Sequence, residues 1–296
     1  MKTHREWASS ILNPDAVTLE DDIFYESNAQ SLECGAFDPK LHENLFSIED
    51  NSWWFRYRNK IIESGISRFL TQKCVIVDVG GGNGFVASHL SKIGFDVVLF
   101  EPGLQGCKNA RRRGLKKIVC APFSSKIVKR GSVSAVGLFD VMEHMENEAN
   151  SLGDVYELLV ADGMLFGTVP AHKWLWSQED ENAGHFRRYS ASSLSEVLRS
   201  NGFKVVYVSY FFRFLSLPIS IFRVLPFKIF GKKGARHTEP SLGKSAFVVP
   251  KFVESIISLL FGKEAEKIRT TSIKHGSSIF FAAKKEAGES ISENFK

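Results

Sequence analysis

The sequence predicts an α/β fold, with a mostly parallel sheet and helices on both of its faces. The first observation is an apolar, β-branched run at 75–79, which suits a strand buried on both faces. The second is the crowded turn that follows, with Gly80, Gly82 and Gly84, after which a helical period resumes at Phe85. The third is that strand-like and helical patterns keep alternating further along the chain. A strand, a glycine turn and a helix together form the first half of a nucleotide-binding unit.

The composition is that of an ordinary globular protein. Of the 296 residues, 44% are hydrophobic and 24% are charged. The four cysteines show no CxxC pairing, and the N-terminus lacks an apolar signal core, so we expect a cytoplasmic protein with free thiols. The net charge of +5 is uneven, because the segment 211–275 holds twelve Lys or Arg and only four Glu. That segment therefore carries +8, and the remainder carries −3.

The spacing of the glycines indicates which nucleotide binds. A dinucleotide fingerprint requires a glycine in the sixth position, where this chain has Phe85. Here Asp78 precedes glycines in the first, third and fifth positions, which resembles the first motif of class I S-adenosylmethionine-dependent methyltransferases. The resemblance implies a Rossmann-like fold with seven strands, one of them an antiparallel edge strand. It also implies that S-adenosyl-L-methionine is the cofactor, with Asp78, Gly80, Gly82 and Gly84 among its contacts.

The next two predicted strands supply further cofactor contacts. The strand after the first helix ends in Glu101, whose side chain can accept both hydroxyls of a ribose. The resemblance implies this role for the adenosyl ribose. Family members often carry an acid after the third strand, but this chain has none there. We therefore expect backbone groups near Ala121 to hold the adenine, with Phe123 against its face.

A second motif lies in the run 139–144, Phe-Asp-Val-Met-Glu-His. It resembles the fourth strand and the adjoining loop of the same family. The resemblance implies that Phe139 and Asp140 lie beside the methionine part of the cofactor. For His144 two interpretations stay open, a buried structural residue or one that faces the active site. The two motifs together predict an enzyme that transfers a methyl group.

The loop at 170–189 follows the predicted fifth strand and shows no simple amphipathic period. It resembles a Pro-x-His…Trp-Ser…Asp…Gly-His-x-Arg-Arg-Tyr signature of a methyltransferase subgroup that is associated with glycan or polyprenyl-linked genes. Histidine suits proton transfer near neutral pH, so His172 and His185 are candidate bases, with Asp180 as the orienting residue or as an alternative base. Either histidine could instead be a loop residue bonded to backbone. Candidate substrate contacts in the loop are Trp174, Trp176, Arg187, Arg188 and Tyr189.

The acceptor is predicted only by class. A loop with histidines and two arginines suits a hydroxyl oxygen on a small, glycan-linked or lipid-linked molecule. Basic residues mixed with large apolar ones argue against nucleic acid. The spacing of His172, Asp180 and His185 matches no standard metal site, so no metal is predicted. The alternative function is an inactive S-adenosylmethionine-binding partner or regulatory protein.

The predicted domain organisation has four parts. They are an N-terminal arm or partial cap at 1–50, a methyltransferase core at 51–210 and 276–285, a basic apolar helical insertion at 211–275, and a disordered tail at 286–296. The insertion is interrupted before it reaches the length of a membrane-spanning helix. Two interpretations stay open for it, a helical cap on the sheet or peripheral contact with an anionic membrane through Arg213, Arg223 and Lys228. The aromatic cluster at 53–57 could likewise pack its helix on the sheet or line a substrate pocket.

Overall fold

A computed structural model describes residues 2–27, 39–70, 74–234 and 251–286. One mixed sheet organises the chain, with the strand order β1-β2-β5-β4-β3-β6-β7-β9-β8. The strands are β1 (Val17–Glu20), β2 (Ile23–Glu26), β3 (Val75–Val79), β4 (Asp96–Phe100), β5 (Ile118–Cys120), β6 (Val133–Phe139), β7 (Leu159–Pro170), β8 (Phe203–Phe211) and β9 (Ser278–Lys285). The seven predicted strands are β3 to β9, and β9 runs antiparallel between β7 and β8, which confirms the predicted α/β fold.

The helices cover both faces of this sheet. They are α1 (Lys2–Ile11), α2 (Pro39–Glu49), α3 (Trp53–Ile66), α4 (Phe85–Lys92), α5 (Leu104–Arg112), α6 (Glu148–Leu158), α7 (Gln178–Asn182), α8 (Ala191–Ser200), α9 (Ser216–Ile219), α10 (Leu225–Gly234) and α11 (Lys251–Thr270). Alternate side chains of a strand point to opposite faces. Val77 of β3 accordingly packs with α1, α6 and α8, and Ile76 packs with α3, α4, α5 and α11.

The N-terminal region is more regular than the sequence suggested. Instead of an irregular arm, it forms α1, a hairpin of β1 and β2, and α2. Strand β2 pairs in parallel with β5, so the sheet has nine strands rather than the predicted seven. Two residues of β2 are buried, and Phe24 packs edge-on against Trp7 of α1 at 5.2 Å between ring centroids. Strands of four residues are too short to give a clear sequence period.

The second half of the insertion packs against the core. Phe261 and Ile268 of α11 are buried with the residues of α3. Trp53 stacks on Phe261 at 6.1 Å, and the Tyr57 hydroxyl donates a hydrogen bond to the Phe261 carbonyl. Trp54 stacks on Phe212 at 5.7 Å. The aromatic cluster of α3 therefore joins the core to the insertion.

The first half of the insertion presents apolar side chains outwards. Segment α9, a π-helical turn (Ser220–Val224) and α10 follow one another without a break. The most exposed residues are Leu217 at 68% and Phe222 at 76%. In the part of the chain that the structure describes, no helix is long and apolar enough to cross a membrane. Residues 235–250 of the insertion and 287–296 of the tail lie outside the described residues.

Candidate active site

A pocket opens where β3, β4 and β6 end, because the carboxyl ends of parallel strands meet at one edge of the sheet. Gly80 and Gly82 adopt positive φ values of 66° and 55°, which favour glycine. A side chain added at Gly82 would meet no atom within 4 Å, so this part of the turn faces open space. The lining residues are Leu41, His42, Leu45, Glu49, Phe55, Arg58, Asp78, Gly80, Gly81, Gly82, Asn83, Phe85, Val86, Glu101 and Phe139.

Asp78 is the most deeply buried acid of this pocket, with an exposed fraction of 1%. Its Oδ2 has no hydrogen-bond partner among the described residues. Burial raises the pKa of Asp78 from 3.8 to about 7, against the opposing effect of Arg58, and the charge of Glu101 raises it further. A cationic ligand would give this carboxylate the partner it lacks. The pocket therefore fits S-adenosylmethionine, which carries a sulfonium and an ammonium group.

Glu101 directly follows β4 beside the glycine turn, at the carboxyl end where the sequence predicted it. Its Oε2 accepts a hydrogen bond from the Gly82 amide at 2.9 Å, and its Oε1 accepts one from the Gly103 amide at 2.7 Å. Burial raises the pKa of Glu101, and these two hydrogen bonds oppose that effect. A carboxylate oxygen can accept more than one hydrogen bond, so both oxygens keep capacity for ribose hydroxyls.

Phe139 lines the pocket, but four other predicted cofactor residues do not. Gly84 precedes α4, and a side chain there would come within 2.8 Å of Ala110 on α5. Ala121 is buried, and Phe123 packs edge-on against Phe100 at 5.1 Å. The fourth, Asp140, contacts Arg58, which does line the pocket. The structure thus surrounds the predicted adenine contacts with other apolar residues.

Helix α2 forms a wall of the pocket that the sequence analysis did not find. It holds four of the lining residues and is tied to the glycine turn by Asn83. The Asn83 amide donates to the His42 carbonyl at 3.0 Å and to the Glu49 carboxylate at 3.3 Å, and His42 Nδ1 lies 3.2 Å from Asn83 Oδ1. Arg113 pairs with Glu49 at 2.7 Å. Two features of the sequence could have indicated this wall. They are an amide residue, Asn83, inside the glycine turn, and the helical spacing of Leu41 and Leu45.

Asp140 connects the cofactor pocket to strand β7. It adopts a positive φ of 57°, which is uncommon outside glycine. Its Oδ2 lies 2.5 Å from Arg58 Nε, and its Oδ1 accepts a hydrogen bond from the Thr168 hydroxyl at 2.9 Å. Arg58 also donates to the Phe139 carbonyl at 2.9 Å. Since Arg58 lines the pocket, the carboxyl-terminal part of β7 and the cofactor pocket share one network.

Within the loop, Asp180 is the central acceptor. It is buried, and its Oδ1 lies 2.9 Å from His185 Nδ1 and 2.7 Å from Arg188 Nε. The Ser177 amide donates to its Oδ2 at 2.9 Å, which caps the short helix α7. Burial favours the protonated carboxyl, but the hydrogen bonds from His185 and Arg188 outweigh it and lower the pKa of Asp180. The structure brings Asp180 and His185 together as predicted candidates.

His185 also meets two residues of the second motif. Its ring lies edge-on to that of His144, with centroids 4.7 Å apart. One potential ligand atom from each of Glu143, His144 and His185 lies within 4.8 Å of the other two. Burial and the charge of Asp140 raise the pKa of Glu143 well above its usual range. Burial and the proximity of His185 lower the pKa of His144 to about 4.

His172 lies elsewhere in the loop and does not belong to this group. Its half-buried ring stacks on Tyr210 at 5.1 Å and on Trp174 at 5.5 Å. Burial lowers the pKa of His172, and the nearby His275 adds to that effect. The structure therefore separates the two histidines that the sequence offered as bases.

The predicted substrate residues of the loop have mixed surroundings. Arg188 is mostly buried in its pair with Asp180 and donates to the Ala171 carbonyl at 3.1 Å. Arg187 pairs with Glu148 at 3.1 Å, and the buried Tyr189 donates its hydroxyl to the same carboxylate. Trp174 is 51% exposed, and Trp176 is half-buried. Both arginines thus have partners inside the protein.

Comparisons with known proteins agree with this architecture. A search of curated proteins gave no match. A methyltransferase from Haloferax volcanii, solved in complex with the Trm112 activator, superposes with a TM-score of 0.52 at 12% identity, over 85% of this chain and 96% of that one. Phosphoethanolamine N-methyltransferase 2 of Haemonchus contortus, in complex with S-adenosyl-L-methionine, superposes with a TM-score of 0.52 at 14% identity, over 89% of this chain and 62% of that one.

A family profile described as a methyltransferase domain matches residues 53–208. The matched range is more than half of the chain and contains the glycine turn, Glu101, Asp140 and Asp180. The chain therefore belongs to the S-adenosylmethionine-dependent methyltransferase family.

Proposed function

We propose that this enzyme transfers the methyl group of S-adenosylmethionine to a hydroxyl oxygen of a lipid-linked or glycan-linked acceptor. The observation that supports an oxygen acceptor most directly is the pair of Asp180 and His185. It stands beyond the carboxyl ends of the parallel strands, in a loop whose Phe186 amide donates to the Glu143 carbonyl, and Asp140 of the same motif pairs with Arg58 of the cofactor pocket. A hydroxyl group attacks a methyl group readily only after losing a proton, and such a pair can assist that loss.

The cofactor would be held by groups already in place. When bound, S-adenosylmethionine supplies an electrophilic methyl group on a sulfonium. Asp78 offers a buried carboxylate to its positive charge, and Glu101 offers acceptor capacity to its ribose. Helix α2 covers the same pocket and reduces the access of water. These contacts position the methyl group, and positioning supplies much of the acceleration of such a displacement.

On the acceptor side, His185 is the proposed activating residue and Asp180 its positioning residue. A carboxylate at Nδ1 fixes the orientation of the ring and leaves Nε2 available. Such an imidazole can accept the proton, and it can also bind a metal ion that lowers the pKa of the hydroxyl. For His172, which stays neutral near pH 7 because burial lowers its pKa, we propose a place beside the acceptor with Trp174.

The class of acceptor follows from the surface next to this loop. We call the exposed residues of the first half of the insertion the outer apolar surface, which comprises Phe214, Leu217, Ile221, Phe222, Leu225 and Ile229. The turn at 220–224 contacts the loop turn at 173–175, and Arg223 reaches Glu179 of α7 at 3.6 Å. The segment 211–229 contains three basic and no acidic residues. An apolar face with basic residues suits a lipid acceptor presented at an anionic membrane.

Tritium-labelled S-adenosylmethionine and a membrane lipid extract provide the direct test. We expect the label to appear in an organic-soluble product as an O-methyl group, identified by mass spectrometry. The His185→Asn variant should lose at least a hundredfold in rate. The matched control is His89→Asn, which alters another histidine–carboxylate pair, to Glu63 at 2.9 Å, on the surface.

Calorimetric titration with S-adenosylhomocysteine tests the proposed cofactor separately from the proposed oxygen acceptor. Wild type and both histidine variants should bind it, and none should bind NADH. Label transferred to nitrogen or carbon, or an unchanged rate in His185→Asn, would contradict the proposed oxygen acceptor. Absence of S-adenosylhomocysteine binding would contradict the cofactor site itself.

A further inference from the structure

We infer that Glu143, His144 and His185 bind a divalent first-row transition metal ion beside the cofactor pocket, with Asp180 holding His185 in place. The inference rests on the proposed function and specifies how the acceptor hydroxyl is activated. Two imidazoles and one carboxylate are a common ligand set for zinc, manganese or iron in proteins. Sequence spacing did not reveal it, because His144 and His185 come from separate loops.

The geometry brings three different ligand groups to one point. One nitrogen from each histidine and one carboxylate oxygen of Glu143 lie within 4.8 Å of one another. Ligand atoms around a bound zinc ion stand roughly 3.4 Å apart, since each lies about 2.1 Å from the metal in a tetrahedron. Small side-chain rotations close that difference. Both histidines are half-buried, which leaves access for the ion and a free position for an acceptor oxygen.

An independent observation is the condition of Glu143. Its exposed fraction is 1%, and its Oε2 has no hydrogen-bond partner among the described residues. Burying a carboxylate without a partner is unfavourable, and such groups in proteins are generally paired or coordinate metals. A bound cation would give Glu143 Oε2 the partner that it lacks among the described residues.

Asp180 does not bind the ion itself but orients His185, which does. Histidines that bind metals usually donate their other ring N–H to a carboxylate or a carbonyl. His185 Nδ1 lies 2.9 Å from Asp180 Oδ1, so its Nε2 is the nitrogen left for a ligand bond. Arg188 in turn holds Asp180 at 2.7 Å. This arrangement fixes the orientation of His185 before any ion binds.

The neighbouring arginines do not form ion pairs with Glu143. Asp140 pairs with Arg58, and Asp180 pairs with Arg188, and Glu143 has no ion pair among the described residues. An ion there would coordinate the acceptor hydroxyl and lower its pKa, so that its proton passes to bulk water. The oxygen then forms the new bond to the methyl carbon, while the sulfur–carbon bond breaks and its electron pair stays on sulfur. His185 acts as a ligand in this scheme.

Direct metal binding tests the inference without relying on turnover. Full-length protein is stripped with a chelator and dialysed against Zn²⁺, and bound metal is measured by mass spectrometry. We expect one ion per chain, with affinity reduced at least tenfold in Glu143→Gln and in His144→Asn. Asp180→Asn should weaken binding by about 10- to 100-fold, because Asp180 orients the ring of a metal ligand. His89→Asn, in the surface pair with Glu63, should bind like wild type.

Two further measurements keep the result interpretable. Binding of S-adenosylhomocysteine shows that each variant is folded, and the visible spectrum of Co²⁺-loaded protein should change in His144→Asn but not in His89→Asn. Equal zinc binding in wild type and Glu143→Gln, or no zinc binding by wild type, overturns the inference. Methyl transfer that persists in chelator overturns the metal site and leaves the proposed function intact. Zinc bound as expected without any methylated acceptor contradicts the proposed function alone.

Discussion

At the scale of single residues, the buried carboxylate of Asp78 lowers the stability of the fold and is available to bind a cationic ligand. Its folded-state pKa is about 7, whereas its ordinary value is 3.8. The folded protein therefore keeps a proton on Asp78 that the unfolded chain releases near pH 4. The preference of the folded state for this proton stabilises the fold fully below pH 4. That stabilisation is lost as the pH rises from 4 to 7 and beyond. At pH 8 the buried carboxylate costs the fold on the order of 4 kcal/mol.

The first prediction is that Asp78→Asn stabilises the protein, increasingly so at higher pH. Asparagine keeps the shape of the side chain without its charge. Its gain in free energy of unfolding over wild type should be about 3 kcal/mol larger at pH 8 than at pH 5. Urea unfolding at the two pH values measures this, with the exposed Asp15→Asn as the control.

Asp78→Asn should also bind S-adenosylhomocysteine more weakly, by about tenfold, since the carboxylate is lost. A pH-independent difference in stability between wild type and Asp78→Asn would contradict the raised pKa. Together the two measurements separate the structural cost of the charge from its use in binding.

Residues whose roles depend on local sequence were predictable, and those that depend on contacts between loops were not. Asp78 lies near the carboxyl end of β3 and Glu101 directly follows β4, so their places beside the cofactor pocket followed from the strand pattern. Arg58 reaches Asp140 from a helix far away in sequence. Pairing of Arg188 with Asp180 likewise depends on a loop turning back on itself, which no period in the sequence specifies.

At the scale of elements, α2 depends on the glycine turn for its position. Asn83 donates to the His42 carbonyl and to Glu49, and it accepts a hydrogen bond from Asn109 at 3.0 Å. Each hydrogen bond stabilises the folded state by about 1 kcal/mol, and a buried group left without its partner costs more. The Asn83 side chain is therefore one of the main polar ties of this wall of the cofactor pocket, beside the Arg113–Glu49 pair.

The second prediction is that Asn83→Ala loosens α2 without unfolding the sheet. Backbone amides at 39–49 should exchange hydrogen faster, and the affinity for S-adenosylhomocysteine should fall by about tenfold. Hydrogen exchange followed by mass spectrometry resolves the helix from the core. Asn201→Ala is the matched control, because it removes a hydrogen bond to Val197 at the far end of α8.

If α2 keeps its protection in Asn83→Ala, apolar packing rather than the amide holds it.

Sequence reasoning placed the seven strands of the core well, because each is an apolar run bounded by turn residues. It missed the hairpin and α2, because their burial arises from packing against parts of the core that come later in the chain.

At the scale of the whole molecule, basic residues and exposed apolar residues belong to the same segment of the chain. The insertion follows β8, a strand at the edge of the sheet, and its sequence carries the basic excess of the chain. The outer apolar surface lies on its first half, and α11 anchors its second half to α3. Glu264 of α11 accepts hydrogen bonds from the amides of Phe212 and Arg213, at 2.9 and 3.0 Å. The point where the insertion leaves β8 is thus fixed to the core.

The last prediction is that this edge binds anionic vesicles. Wild type should sediment with vesicles that contain phosphatidylglycerol and remain in solution with neutral ones, because apolar insertion is weak without electrostatic attraction. Phe222→Ser combined with Leu217→Ser should reduce the bound fraction at least tenfold while leaving S-adenosylhomocysteine binding unchanged. Leu19→Ser, which alters an exposed leucine at the opposite edge of the sheet, is the matched control.

Salt provides a second test of the same surface. The distance over which charges act falls from about 10 Å at 0.1 M to about 3 Å at 1 M salt, so binding should weaken as salt is raised. Equal binding to neutral and anionic vesicles, or equal binding by the double variant and Leu19→Ser, would remove the support for a membrane-presented acceptor. In that case the same loop would serve a small or glycan-linked acceptor in solution, since the cofactor pocket does not involve the outer apolar surface.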